Sequence, residues 1–409
     1  MIKNIELFNT PDTKLFNNEI NRANKFCEEI SIEKYNSKYK CLSSDFYDRK
    51  YDEIKKILEE WANSFETVVI IATGGSNLGS KSIISSKFKT KNNIKFFYLD
   101  NLNSDIISYH ISNLDLEKCG FLIISKSGNT IEVVSQSLIF IKLFENKLGK
   151  KKLSSHFLSL TTNTNNIIST ISREKNIRVI ELDNDISGRF SVLSLVGWIP
   201  AVIAGIDFGE IVRGSNNIMS TLNKNDSQQI IGAALMSTLS QSQIHVNVLS
   251  TYEPRLLTFC NWHKQLFSES LGKNNIGMVT QCSLMPLDQH SQLQAWIDGP
   301  KDKIINILIN ENNGSNIDLD CSGIEVAKFL DKKTISDVIN AFIQTTTQSL
   351  LESGRPFRII SIDNFDEYTL GELFAFSMLE TILTSNLLGL NPFNQPAIEK
   401  AKKLTKNYL

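Results

Sequence analysis

Residues 68–83 read VVIIATGGSNLGSKSI. Five apolar residues, four of them β-branched, make a run that suits a strand buried on both faces. The run ends at Thr73, Gly74 and Gly75, where glycines let the backbone turn sharply, and a helical stretch follows from Ser76. A strand, a glycine turn and a helix in direct succession form the opening half of a βα unit. Residues 120–134, GFLIISKSGNTIEVV, repeat the device with Ser125, Lys126, Ser127, Gly128, Asn129 and Thr130 in the turn.

Outward from these two stretches the alternation continues. Short β-rich runs lie at 68–72, 94–99, 121–125, 157–160 and 178–182, with helical periodicity between them, clearest at 130–146. This succession predicts an α/β fold with a parallel sheet and helices on both faces, closing near Gly205. A second cycle has helical stretches at 209–241, strands at 245–250, 277–282, 304–309 and 357–362, and helices at 255–271, 334–352 and 367–388. Polar loops interrupt it, notably NENNGSN at 310–316, and a final helix is expected from Pro392 to Lys406. The expected division is an N-terminal helical extension at 1–45, a first domain at 46–207, a second at 208–390 and a C-terminal helix at 391–409.

Composition narrows the function classes. The chain has 409 residues, 41% hydrophobic and 21% charged, which is globular composition with room for two domains. A net charge of −1 leaves no electrostatic footprint for nucleic acid and no basic surface for a membrane. Six scattered cysteines without a CxxC pair read as reduced thiols, neither a disulfide framework nor a zinc site. The opening MIKNIELFNTPD lacks the apolar core of a signal peptide. The apolar stretch 192–206 is short for a bilayer and reads as a buried helix. A soluble cytoplasmic protein is expected.

Both Ser/Gly turns can cradle a phosphate with hydroxyls and backbone amides at a helix start. Neither is a Walker A loop, the first does not fit GxGxxG, and each alone is equally an ordinary tight βα turn. Two such turns at strand ends of one parallel sheet favour a ligand crevice. Further on, WHKQLFSESLGK (262–273) sets Gln265 and Glu269 four apart on one helix face, with Trp262 a turn before. DQHSQLQ (288–294) supplies His290. A carboxylate base, an amide that holds a hydroxyl and a histidine that moves a second proton suit proton transfer on a phosphorylated sugar. For Glu269 the bland alternative is a surface pair with Lys273 at i+4. Among the other histidines, His110, His156 and His245 lie in ordinary contexts, and His263 faces away from Glu269 on a regular helix. No His/Asp/Glu grouping has metal-ligand spacing.

These blocks occur together. TGGSNLG, SKSGNT, SGRFSVLSLVGWIPA, QLFSESLGK, DQHSQLQ, GRP and NPFNQPAIEKAKKLT, spread over residues 68–407, follow the order seen in the phosphoglucose isomerase family, which the chain resembles. The resemblance implies two sugar-isomerase (SIS) type αβα sandwiches with mainly parallel sheets and a C-terminal helix crossing back to the site. It implies interconversion of glucose 6-phosphate and fructose 6-phosphate in glycolysis and gluconeogenesis, without cofactor or metal, in a homodimer with shared sites. By the same resemblance, Ser76, Ser125, Lys126, Ser127 and Thr130 surround the phosphate, and Gly188 and Arg189 lie beside the reacting carbons. Gln265 positions the sugar, and Glu269 carries the proton between C1 and C2. His290 assists ring opening from the neighbouring subunit, Lys402 stands near the ring oxygen and Gln395 near the phosphate.

The chemistry fits those groups. One carboxylate suffices for a cis-enediolate route, and partial desolvation beside Trp262 would keep it basic enough. A permanently charged arginine stabilises the enediolate oxygens without a metal. Lys402 sits in EKAKKLTK, which by itself reads as a solvated basic face. Three departures stand out: Ser187 replaces a glycine before Gly188, Ala397 replaces another, and the N-terminal part is shorter than in many members. Two other readings stay open at this level, an SIS isomerase of another sugar phosphate and a sugar-phosphate sensor without catalysis.

Overall fold

The computed structural model describes residues 1–10, 13–33, 37–43, 52–162, 165–242, 244–312 and 317–409. The chain divides into two compact units, Ile30–Met219 and a second made of Met1–Glu29 with Ser220–Leu409. It opens on strand β1 (Ile2–Phe8), which belongs to the second unit, and the helix Thr13–Glu33.

The unit Ile30–Met219 is built on β2 (Thr67–Ala72), β3 (Lys95–Leu99), β4 (Cys119–Ile124), β5 (Phe157–Thr161) and β6 (Arg178–Glu181). All pair in parallel, in the order β3-β2-β4-β5-β6. Every residue from Val68 to Ala72 is fully buried, as the unbroken apolar run predicts. The helix Ile131–Leu148 lays Phe140 and Phe144 on Phe121, which stacks on Phe157 at 4.5 Å. Each such ring contributes about 1.5–3 kcal/mol by burial. From β2 the chain steps outward to β3 and then returns across β2 to β4. The order therefore reverses between β2 and β4, and the two expected ligand turns leave neighbouring strand ends at that reversal.

The buried helix expected at 192–206 is the helix Leu195–Ala204. Ser194 caps it by accepting from the Val196 N–H, and Gly205 ends it in the left-handed region at φ 71°.

The second unit carries β7 (Val246–Thr251), β8 (Val279–Leu284), β9 (Lys303–Asn310) and β10 (Phe357–Ile362). Its order is β1-β10-β9-β7-β8, parallel except for β1. The helix Glu367–Leu387 is buried almost all round, which is why its apolar pattern shows little sidedness.

Three expectations need correction. The opening 45 residues are not purely a helical extension: β1 pairs antiparallel with the free edge of β10, and Phe8 stacks on Phe357 at 4.4 Å. That strand is held by its neighbour rather than by its own pattern, and residues 44–51 lie outside the described ones. The boundary between units falls after Met219, not after 207, so the helix Phe208–Met219 stays with the first unit. The final helix runs Pro396–Tyr408, because Pro396, not Pro392, takes its first turn, while Phe393 N–H turns back onto the Asn391 side chain at 2.9 Å. Of the loop expected at 310–316, residues 313–316 lie outside the described ones. No described helix is long and apolar enough to cross a membrane.

Candidate active site

In the unit Ile30–Met219 the first turn and the SGR segment meet. A Cβ added to Gly75 would lie 2.2 Å from the carbonyl carbon of Gly188 and 2.5 Å from the nitrogen of Arg189. No side chain fits there, so Gly75 is glycine because another backbone passes over it. Gly74 turns the chain at φ 53°, and the helix Gly75–Ser85 starts with Ser76 half-buried in its first turn. Arg189 is buried in the turn Gly188–Leu193, its guanidinium 5.7 Å from the Phe190 ring centroid. Ser187 adopts φ −69°, ψ 148°, an extended conformation open to any residue, so its replacement of glycine carries no backbone strain. Its hydroxyl is buried and has no hydrogen-bond partner among the described residues.

The second turn gathers hydroxyls. Thr130 Oγ1 lies 3.3 Å from the buried Ser125 hydroxyl and 3.4 Å from the exposed Ser127 hydroxyl. Thr130 makes no capping bond to the helix it precedes, so its hydroxyl belongs to this cluster. The turn is strapped from the end of β5. The Lys126 carbonyl accepts from the Thr162 hydroxyl at 3.0 Å, and the Gly128 carbonyl accepts from Ile168 N–H at 3.0 Å. Gly128, at φ 62°, lies under the Asn166 side chain, which a Cβ would strike at 1.8 Å. Burial lowers the Lys126 ammonium below its ordinary pKa, against Asp183 and Asp185, whose charges hold it up.

One supporting group escaped the sequence reading. Asp100, just past β3, accepts from Asn77 Nδ2 and from Lys81 Nζ on the same oxygen, each at 3.0 Å. It ties down the helix that carries Ser76. The available signal was an acidic residue at the end of the strand beside the first turn.

In the second unit the helix Leu257–Leu271 places Gln265 and Glu269 as the spacing predicts. Gln265 Nε2 donates to Glu269 Oε2 at 3.2 Å, and both side chains are half-buried. Trp262, 1% exposed, packs edge-on against Phe374 at 4.8 Å. Lys273 Nζ donates to the Asn391 carbonyl, joining the end of this helix to the C-terminal segment. His263 is buried and stacks on Phe267 at 5.3 Å. Burial first, and the Arg358 charge second, push its pKa down to about 3.

His290 ends the short turn Leu287–His290 and is exposed. Gln395 and Lys402 converge on one carboxylate: Glu399 Oε1 accepts from Gln395 Nε2 at 3.2 Å and pairs with Lys402 Nζ at 3.0 Å. Glu399 was also missed, although the i−4 and i+3 spacings to its two partners could have shown it. The helix Pro396–Tyr408 buries none of its residues, and Ala397 is an exposed helix former in its first turn. The described residues hold no cluster of three or more His, Cys, Asp or Glu groups arranged for a metal.

The fold and these turns define a class, the doubled SIS-type α/β sandwich of sugar-phosphate isomerases. A hypothetical protein from Thermus thermophilus superposes with a TM-score of 0.86 at 25% identity over 99% of each chain. A glucose-6-phosphate isomerase from Chlamydia trachomatis has the same fold, with a TM-score of 0.75 at 20% identity, covering 87% of this chain and 72% of that one. Residues 55–284 match the family model described as phosphoglucose isomerase, and the chain belongs to that family. The "Probable glucose-6-phosphate isomerase" of Methanococcus maripaludis is 30% identical over 96% of this chain and 89% of its own length. The glucose-6-phosphate isomerase of Mycoplasmopsis synoviae is 30% identical over 88% and 87%.

Proposed function

We propose that this chain interconverts D-glucose 6-phosphate and D-fructose 6-phosphate, as an aldose–ketose isomerase of glycolysis and gluconeogenesis working in the cytoplasm. The observation that carries the reading is the Gln265–Glu269 pair on one helix face, in a member of the phosphoglucose isomerase family. Ser76, Ser125, Lys126, Ser127 and Thr130 hold the phosphate through hydroxyls, backbone amides and one ammonium whose charge is balanced by Asp183 and Asp185.

The sugar enters as a closed ring. His290, assisted by Lys402, gives the ring oxygen a proton as the ring C–O bond breaks, and the anomeric hydroxyl gives up its own proton to solvent, leaving an open-chain carbonyl. Glu269 takes the proton from C2 and returns it to C1, while a proton passes from O2 to O1; the intermediate is a cis-enediolate. Gln265 orients the sugar hydroxyls and the Glu269 carboxylate together. Arg189, beside Gly188, supplies the fixed positive charge for the enediolate oxygens. Gln395, at the start of the last helix, completes the phosphate end. The active form is a homodimer in which His290 serves the site of the second copy, a role suited to a histidine that its own chain leaves exposed.

Purified protein given fructose 6-phosphate, with the product coupled to oxidation of glucose 6-phosphate, tests the activity. Turnover is expected with and without a chelator. Absence of turnover would remove the reading, and turnover abolished by the chelator would remove the metal-free mechanism.

A further inference from the structure

His290 has an exposed ring, so its aim depends on the backbone beneath it. The two residues before it are held firmly. Asp288 accepts from Leu284 N–H at 2.9 Å and from the Ser291 hydroxyl at 2.8 Å, closing the turn onto the end of β8. Gln289 points the other way, into the second unit. Its Nε2 donates to the Phe342 carbonyl at 3.2 Å, lies 3.4 Å from the Tyr252 hydroxyl and bonds the Thr346 hydroxyl. Tyr252 closes the knot by donating to the same Phe342 carbonyl at 3.2 Å and meeting Thr346 Oγ1 at 3.0 Å.

Its inner partners are buried, Tyr252 at 6% exposed and Thr346 at 0%, while Gln289 itself is half-buried. Tyr252 follows β7 directly, and the order of this sheet reverses between β7 and β9. In an open parallel sheet that reversal is where a ligand crevice forms. Beside it stands Tyr252, bonded to Gln289 and Thr346, so these strand ends hold a catalytic turn in place. A hydrogen-bonded buried network fixes geometry more tightly than exposed contacts do, since its members have no water to turn to.

We propose that Gln289, clamped by Tyr252, Thr346 and the Phe342 carbonyl, is a positioning residue that aims His290 for ring opening. This rests on the role given to His290 above. Gln289 touches no substrate; it sets the direction in which the next residue leaves the protein. Ring opening and C1–C2 proton transfer are separate steps, so a fault in aiming His290 falls on the first alone. A merely structural role would weaken both.

The test compares D-fructose 6-phosphate with 5-deoxyfructose 6-phosphate, which lacks the hydroxyl that closes the furanose ring and stays open. Conversion of each is followed by NMR from the loss of substrate signals and the growth of product signals. Gln289→Met keeps the side-chain length without its hydrogen bonds, and Thr346→Val removes one partner at nearly constant volume, so at least one variant is expected to fold. In both, turnover of fructose 6-phosphate should fall at least ~10-fold while that of the open-chain analogue stays within about twofold of the parent protein. Equal losses on both substrates, or no loss on either, would overturn the positioning role. A parent protein that turns over neither substrate would instead remove the isomerase reading itself.

Discussion

Gln265 Nε2 donates to Glu269 Oε2 at 3.2 Å, one helical turn apart on a face that stays partly open to solvent. The amide holds the carboxylate in one orientation. Glu269→Gln keeps the shape and removes the proposed base. Turnover of fructose 6-phosphate is expected to fall at least ~10²-fold, with substrate affinity by calorimetry little changed. Near-parental turnover would take the base role away from Glu269.

The proposed shared-site dimer has its own readout. Glu269→Gln and His290→Ala proteins, each nearly inactive, are mixed and allowed to exchange subunits. Each mixed dimer has one site with both residues intact, so random pairing should restore about a quarter of parental activity. If labelled subunits exchange and activity stays flat, each site is confined to a single chain.

Gly75 stands against the Gly188 carbonyl with no room for a methyl group. Gly75→Ala must push the SGR segment away from the first turn or strain both, at about 1–3 kcal/mol. Urea unfolding should show the loss, and kcat should fall as Arg189, the charge proposed for the enediolate oxygens, moves. Unchanged stability and kinetics would mean that this close backbone approach is relaxed in solution.

Arg358 of β10 and Glu380 of the helix Glu367–Leu387 form an ion pair with side chains 3% and 2% exposed. Arg358 Nε also donates to Asn306 Oδ1 at 2.7 Å. Removing either charge alone strands the other in the interior, so Arg358→Met or Glu380→Leu should each cost about 3–5 kcal/mol in urea unfolding. The double variant should recover most of that loss. A double variant as unstable as the sum of the singles would show that the two charges act independently and that neither is stranded by loss of the other.

His263 resists protonation in the folded chain, with a pKa pushed down to about 3 by burial and Arg358. Unfolded, it titrates near 6.5, so the unfolded chain binds a proton that the folded one refuses. Its contribution to stability is therefore present above about pH 6.5 and declines as pH falls toward 3, by about 1.4 kcal/mol per pH unit. His263→Gln should flatten the dependence of unfolding free energy on pH between 6 and 4 by one proton's worth. An unchanged slope would mean that His263 charges in the folded state.

Much of the architecture was already legible along the chain. The strand at 68–72 and the turn after it follow from an apolar β-branched run meeting two glycines, and Gln265 meets Glu269 because four residues span about one helical turn. Such features rest on residues close in sequence, so a linear reading holds their cause. The membership of β1 in the second sheet, the reversal between β2 and β4, and the backbone of Gly188 over Gly75 have no local signature. Nor does the knot that ties Gln289 to Tyr252 and Thr346, 37 and 57 residues away. These arise only when distant segments compete for the same strand edge, cavity or backbone surface, and packing in three dimensions settles that competition.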